Sequence, residues 1–333
     1  MDGPTPDGEQ LEISSVVEGE AIEAAVPVPE TGRPHYDKLV GLLANPKLPE
    51  IEKPRIAAAI ERYRTWVAAM DALSSEGDQR VRDLVKLLNG YKFSVDFDLI
   101  FDSPENFLYR QSGQLKLSSS VLEEFLPRLA DPRIMPSLRS KHYESGPRKS
   151  FASAYFMATM VSAPSAIGLQ IRTKDQDFTV GRHAYVKASF DERFADRSTA
   201  QEKIYLAYIA AECKTNLDKT MWQEATATSH DLRVGLPGSR YFLLCEWLDM
   251  PVPSREGTDI HMVFIFRGKR LTSNIRSAFA TATGRRKQRD WYATRLHGHP
   301  IKEEAMLAFV NEMRAIFDST YLSEGDVLNK GYF

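Results

Sequence analysis

The stretch Ile204-Tyr205-Leu206-Ala207-Tyr208-Ile209-Ala210-Ala211-Glu212-Cys213-Lys214 decides how this chain is read. Eight uncharged, mostly apolar residues run straight into a carboxylate and an ammonium two positions apart. Such a run is typical of a central strand covered on both faces of its sheet. Side chains alternate across a strand, so Glu212 and Lys214 are expected side by side on one face. Two charges at the end of an apolar strand are costly unless they pair, or meet a metal and a substrate there. A random triplet of this kind is usually a solvated pair at a sheet edge. Here it is the only Asp/Glu-x-Lys triplet in the 333 residues, and it closes the most apolar strand.

Around this strand the pattern alternates between β and α. Ala166 to Arg172, Thr179 to Ser189, Tyr241 to Trp247 and His261 to Phe266 are rich in Ile, Val, Tyr, Phe and Leu, bounded by charged or Gly/Pro turns, and are predicted as strands. Leu217 to His230, Leu271 to Thr283 and Glu303 to Phe317 are predicted as helices. Strands, then a strand–helix–strand unit with flanking helices, describe an α/β domain around a mixed sheet. Further upstream, Phe151, Tyr155, Phe156 and Met160 recur at helical intervals in the small-residue segment Pro147 to Ser162. Ser118 to Leu129 is predicted as a capped helix, and Tyr36 to Leu88 carries apolar stripes such as Ile56, Ile60, Tyr63, Val67 and Met70. Residues 1–33 hold eight acids and one base with several prolines, the composition of a disordered acidic tail. The expected division is a tail over 1–33, a mainly helical region over 34–150 that recognises DNA, dimerises or packs as a layer, and the α/β domain over 151–333.

Bulk properties exclude several classes. Net charge is −2, so the molecule as a whole does not advertise a polyanionic partner. Its two cysteines, Cys213 and Cys245, form neither a disulfide framework nor a zinc-ligand pattern. No signal peptide and no apolar span of membrane length is seen, so the cytoplasm is the expected compartment.

The acid–amine pair suits phosphodiester hydrolysis, which needs an activated water and a cation to offset charge growing on the phosphate. Mg²⁺ is a hard ion that keeps several waters and takes one or two carboxylates. Glu212 supplies one, and the carbonyl of Cys213 is a further oxygen donor. Lys214 then holds or deprotonates the attacking water. A second carboxylate must come from a neighbouring strand, with Asp175, Asp177 and Asp191 near the ends of predicted strands.

An Asp followed at a distance by Glu-x-Lys, the latter ending a buried strand that leads into a helix, resembles the PD-(D/E)XK nuclease superfamily. The string Lys174-Asp175-Gln176-Asp177-Phe178 and the run from Ala211 to Ala225 resemble one branch, Type II restriction endonucleases of the heterodimeric group that recognises CCTNAGC. The resemblance covers residues 165–250. It implies a restriction-endonuclease-like mixed β-sheet flanked by helices, Mg²⁺ dependence, a homodimer or a pair of related subunits on double-stranded DNA, and cuts leaving 5′-phosphate and 3′-hydroxyl ends. Position by position it gives Asp177, Glu212 and Lys214 as catalytic residues, and Asp177, Glu212 and Cys213 as metal ligands. Asp175 and Asp191 stay open as alternatives for the Asp, and the proline that often precedes it is absent.

Two further segments suit DNA. The helix after Lys214 is predicted to start at Thr215 or Asn216, the former making a capping box with Asp218, which aims a helix N-terminus at phosphate. Lys219 and Gln223 are four apart on one face of it. From Arg267 to Arg295 nine bases face one acid. Arg267, Lys269, Arg285, Arg286, Lys287 and Arg289 are the candidates from that basic loop for phosphate or guanine contacts. The competing readings are another nuclease of the same fold in repair or anti-phage defence, and a non-catalytic DNA-binding module.

Overall fold

The computed structural model describes residues 33–139, 142–157, 167–318 and 324–331. The acidic-tail expectation therefore lies outside the described residues, apart from Arg33. Helices α1 (Pro34–Leu43), α2 (Lys53–Asp71) and α3 (Gly77–Phe93) come first. Prolines sit in the first turns of α1 and α2, where a missing N–H costs nothing. On α2 the expected stripe of Ile56, Ile60, Tyr63 and Met70 is buried. α3 runs on through wide π-type turns over Ser94–Phe101, where the Asp102 N–H bonds the Phe97 carbonyl. Short helices α4 (Phe107–Gln111) and α5 (Ser119–Phe125) complete the layer.

Five strands follow: β1 (Glu144–Phe156), β2 (Leu169–Ser189), β3 (Thr199–Leu217), β4 (Arg240–Leu248) and β5 (Ile260–Lys269), in the spatial order 1-2-3-4-5. β1, β2 and β3 are antiparallel neighbours; β3, β4 and β5 run parallel, with α6 (Lys219–Gly235) crossing from β3 to β4. The sheet is mixed and helices flank it, as the sequence predicts. Its two covered faces explain the unbroken apolar run. Ile209, Ala211 and Cys213 face the N-terminal helices together with Phe242 and Leu244. Ala207 and Ala210 face α6 with Tyr241, Leu243 and Cys245. One core runs from Leu39 to Phe317, so the N-terminal helices are a layer on the sheet, joined by α10 (Glu303–Asp318). The remaining helices are α7 (Ser273–Ser277), α8 (Ala282–Lys287), α9 (Arg289–His297) and α11 (Glu324–Lys330).

Several expected elements are revised. Phe151, Tyr155 and Phe156 lie on β1, not on a helix, and Met160 lies outside the described residues; β1 is an edge strand whose buried positions are the small residues Gly146, Ser150 and Ala152, so it carries no apolar alternation. It begins at Glu144, inside the region expected to be helical. The two strands expected over 166–189 are one, because the polar string 173–176 pairs with β1. Leu271 to Thr283 is not one helix, and the basic loop beyond it is largely α8 and α9.

At Gly181 the β2–β3 register slips, and a Cβ there would stand 2.1 Å from the Leu206 carbonyl oxygen. Gly181→Ala is expected to lower stability by about 1–3 kcal/mol. A urea midpoint unchanged from wild type would contradict this.

The helical layer is pinned by a buried polar cluster. The Glu124 carboxylate of α5 accepts the first-turn N–H groups of α1, from His35 at 3.0 Å and Tyr36 at 3.2 Å, and the Tyr63 hydroxyl. The His35 ring lies 3.0 Å from the Ser120 hydroxyl and 2.8 Å from that of Tyr91. Burial, with Lys92 and Lys38 adding to it, lowers the His35 pKa to about 3. The folded ring stays neutral where an unfolded one would bind a proton, so stability falls as pH drops below about 6.5 toward 3, by about 1.4 kcal/mol per pH unit. Buried Glu124, whose pKa burial raises, acts with the opposite sign in the carboxylate range. The difference between wild type and His35→Gln in thermal melts from about pH 7.5 to about pH 5.5 isolates the histidine; equal slopes would refute it.

Candidate active site

β2 and β3 build the centre. Phe178 pairs with Ala211, so one step further Asp177 and Glu212 come level on adjacent strands. Opposed residues of an antiparallel pair share a face, which gathers Asp177, Glu212 and Lys214 on the α6 side. The Lys214 Nζ lies 2.6 Å from Glu212 Oε1. Tyr241 of β4 donates its hydroxyl to Glu212 Oε2 at 2.6 Å. The Cys213 N–H donates to Asp177 Oδ2 at 2.7 Å, tying the strands together at this level.

The electrostatics are those of crowded acids. Burial first, then the Glu123 carboxylate, push the Asp177 pKa up to about 7, with Glu212 adding to the rise and the Cys213 N–H and Lys116 opposing it. Burial pulls the Lys214 ammonium down, but Glu212 and Asp177 more than offset it, so its pKa is raised and it carries its charge. The Tyr241 hydroxyl is pushed well up by burial and by Glu212, and stays a donor.

Among the described residues no three of His, Cys, Asp and Glu converge as a metal-holding group. The donor set nonetheless fits a hard divalent ion that keeps much of its water. Two carboxylates, Asp177 and Glu212, come together on adjacent strands, in a place where burial and Glu123 chiefly, with Glu212 adding to them, raise Asp177.

The other Asp candidates are elsewhere. Asp191 sits at the far tip of the β2–β3 hairpin, where its carboxylate accepts the N–H groups of Arg193 and Ala195. Asp175 is exposed opposite Lys149 of β1. Sequence reasoning does not single out Glu123 or Tyr241 for this centre. Glu123 is buried on α5 and lies 3.5 Å from Lys38, and its spacing within the chain signals only a helix. Tyr241 opens the strand predicted over Tyr241 to Trp247 as an ordinary apolar position.

The helix after Lys214 starts later than expected. β3 extends to Leu217, and Asp218 caps α6 by accepting the Met221 N–H at 3.0 Å. Neither Thr215 nor Asn216 is the cap, because both are still in the strand. Lys219 and Gln223 are exposed and line one groove of about 490 Å³ with Trp222, Thr226, Met250 and Pro251. In the basic segment the expectation for Arg267 and Arg285 is corrected. Arg267 is 5% exposed and ion-paired to Asp96 and Glu246, and Arg285 is 1% exposed and donates to the carbonyls of Phe101, Ser103, Glu105 and Phe279. Both guanidinium groups find their partners inside the fold. Lys269, Arg286, Lys287 and Arg289 are exposed, with Arg289 forked onto Asp102 at 2.9 and 3.2 Å.

A family model described as Bpu10I restriction endonuclease matches residues 114–333. Among solved structures the chain is similar to one described as the native BbvCI A2B2 tetramer at low resolution, with a TM-score of 0.50 and 19% identity over 80% of this chain and 97% of that one. At that identity the likeness establishes the restriction-endonuclease fold. No curated protein matches. Among the described residues no helix is long and apolar enough to cross a membrane.

Proposed function

Because the chain belongs to the Bpu10I restriction endonuclease family, we propose that it is a Type II enzyme hydrolysing phosphodiester bonds of double-stranded DNA at a specific sequence, with Mg²⁺, leaving 5′-phosphate and 3′-hydroxyl ends. The observation that carries the reading is the meeting of Asp177 with Glu212 and Lys214 at one level of two adjacent strands.

Asp177, Glu212 and the Cys213 carbonyl would hold the ion. When bound, a divalent ion supplies positive charge for the phosphate oxygens and a more acidic water. Tyr241 fixes one oxygen of Glu212 and leaves the carboxylate a single orientation. Lys214, held 2.6 Å from Glu212, is placed to orient or deprotonate the attacking water and to offset charge gathering on the phosphate. Glu123 deepens the negative field at Asp177, which favours a cation there. Lys219 and Gln223 on α6, with Lys269, Arg286, Lys287 and Arg289, are the proposed contacts to the DNA backbone.

Cutting two strands takes two active sites, so the proposed working unit pairs this chain with a copy or with a related second subunit. The A2B2 composition of the BbvCI tetramer favours the second. The proposed setting is the cytoplasm, in keeping with two free, buried cysteines.

The test is digestion of plasmid DNA of known sequence by the full chain, with Mg²⁺ or with EDTA. Magnesium-dependent nicks or cuts at discrete positions, joined again by DNA ligase without prior phosphorylation, are expected, and CCTNAGC is the first site to map. A smear would point to a non-specific nuclease of this fold. Binding without any cutting would point to a non-catalytic module.

A further inference from the structure

Where β3 leaves the proposed cut site, a second cleft of about 170 Å³ opens, lined by Thr215, Asn216, Trp247, Arg270, Arg276 and Arg295 among others. Thr215 and Asn216 directly follow Lys214 in the chain, so the cleft opens at the C-terminal end of β3, just beyond the centre.

Three guanidinium groups line it, with little negative charge to meet them. Arg270 lies 2.5 Å from Asp249, and Arg276 reaches the same carboxylate oxygen at 4.0 Å. Arg276 is steered by a hydrogen bond to the Leu271 carbonyl at 3.0 Å, and Arg295 by one to the Lys269 carbonyl at 2.8 Å. One acid thus serves two arginines that remain partly exposed, with side-chain exposures of 26% and 35%.

The aromatic lining does not offer a stacking platform. Trp247 already carries the Arg267 and Arg295 guanidinium groups at 5.6 and 5.3 Å from its ring centre. Phe279 and Tyr292 pack on one another at 5.4 Å, and Tyr292 stacks on Phe101 at 4.0 Å. The cleft therefore presents cations on a rigid apolar floor. That combination fits a phosphate, which arginine forks grip through two oxygens, better than an unstacked base.

We infer that this cleft seats a backbone phosphate of the bound DNA strand adjacent to the one cut, with Arg270 and Arg276 as its contacts and Asp249 as the counter-ion that the phosphate replaces. The inference rests on the DNA-cleaving reading above and adds the position of a second phosphate. Arg270 and Arg276 belong to the basic run from Arg267 to Arg295 but are not among the six residues picked from it on sequence grounds, and Asp249 lies outside it.

Its test is equilibrium binding of the full chain to a short mixed-sequence duplex in EDTA, where nothing is cut, over a series of salt concentrations. The Arg270→Gln/Arg276→Gln variant is expected to bind roughly tenfold more weakly, with the salt slope reduced by about two. Asp249→Asn is expected to bind more tightly than wild type, an outcome that mere loss of structure does not give. Arg64→Ala, an exposed position on α2 that does not line the cleft, serves as the control, and thermal melts confirm folding. Unchanged affinity and slope in the arginine variant would overturn the inference. So would an Asp249→Asn variant that binds no more tightly than wild type. Loss of inorganic phosphate binding with duplex affinity intact would make the cleft a small-anion site instead, which also overturns it. Because binding is read without cutting, a wild type that fails to cleave would sink the nuclease reading alone.

Discussion

The Lys214→Ala protein is expected to cut DNA roughly 10²–10³-fold more slowly than wild type while binding the same duplex with similar affinity. Lys214 is held 2.6 Å from Glu212, with both side chains 21% exposed, so its ammonium sits at the mouth of the centre rather than in the core. Truncating it removes the donor proposed to face the attacking water, and little packing. It also leaves Glu212 next to Asp177 with only the Tyr241 hydroxyl to steady it. Arginine is not expected to restore the rate, because a planar fork cannot reproduce a compact ammonium between two strands. Asp177→Asn makes a matched comparison. The amide oxygen can still accept the Cys213 N–H, so the strands stay joined while a charge is lost, and a comparable fall in rate is expected. Single-turnover cleavage with saturating protein measures both. A Lys214→Ala protein that cuts at the wild-type rate would remove the basis for the whole assignment.

The largest effect on stability is expected from Glu246→Gln, at about 3–5 kcal/mol. Glu246 is fully buried on β4 and lies 2.9 Å from Lys92 of α3 and 3.0 Å from Arg267 of β5. Asp96 completes the group, 3.2 Å from each cation. Two acids and two bases balance, and this neutral quartet clamps the helical layer onto the parallel half of the sheet. Removing one acid strands a cation in the interior, where its desolvation is no longer offset. Charge balance predicts the remedy. Lys92→Met combined with Glu246→Gln leaves Arg267 paired with Asp96 and is expected to recover much of the loss, a non-additive result that a double-mutant cycle in guanidinium unfolding reads directly. Strict additivity of the two substitutions would show that the residues act independently, contrary to the geometry.

How much of this is legible in the sequence differs by element. The β3 strand and its terminal Glu212-x-Lys214 stand out because a strand covered on both faces must be apolar at every position, and a charge there has few bland explanations. α2 and α10 are legible for the same reason of periodicity, each burying one stripe. β1 is not, because an edge strand with small buried residues writes no pattern. Asp177 can be named but not chosen over Asp175 and Asp191, since strand register is a long-range fact. Glu123 is invisible as part of the centre, because its closeness to Asp177 depends on how α5 docks on the sheet. The basic run is visible as charge, yet Arg267 and Arg285 turn inward, and composition carries no information on which arginine finds buried carbonyls and carboxylates.

By itself the sequence determined the class of fold, the central strand and the acid–amine pair at its end, because these follow from local periodicity and from the cost of placing charge on buried backbone. Only the tertiary structure decided which aspartate comes level with Glu212, that Tyr241 and Glu123 join the centre, and which arginines still face solvent. Those are questions of register and docking between segments far apart in the chain, where side chains meet partners that no window of sequence contains.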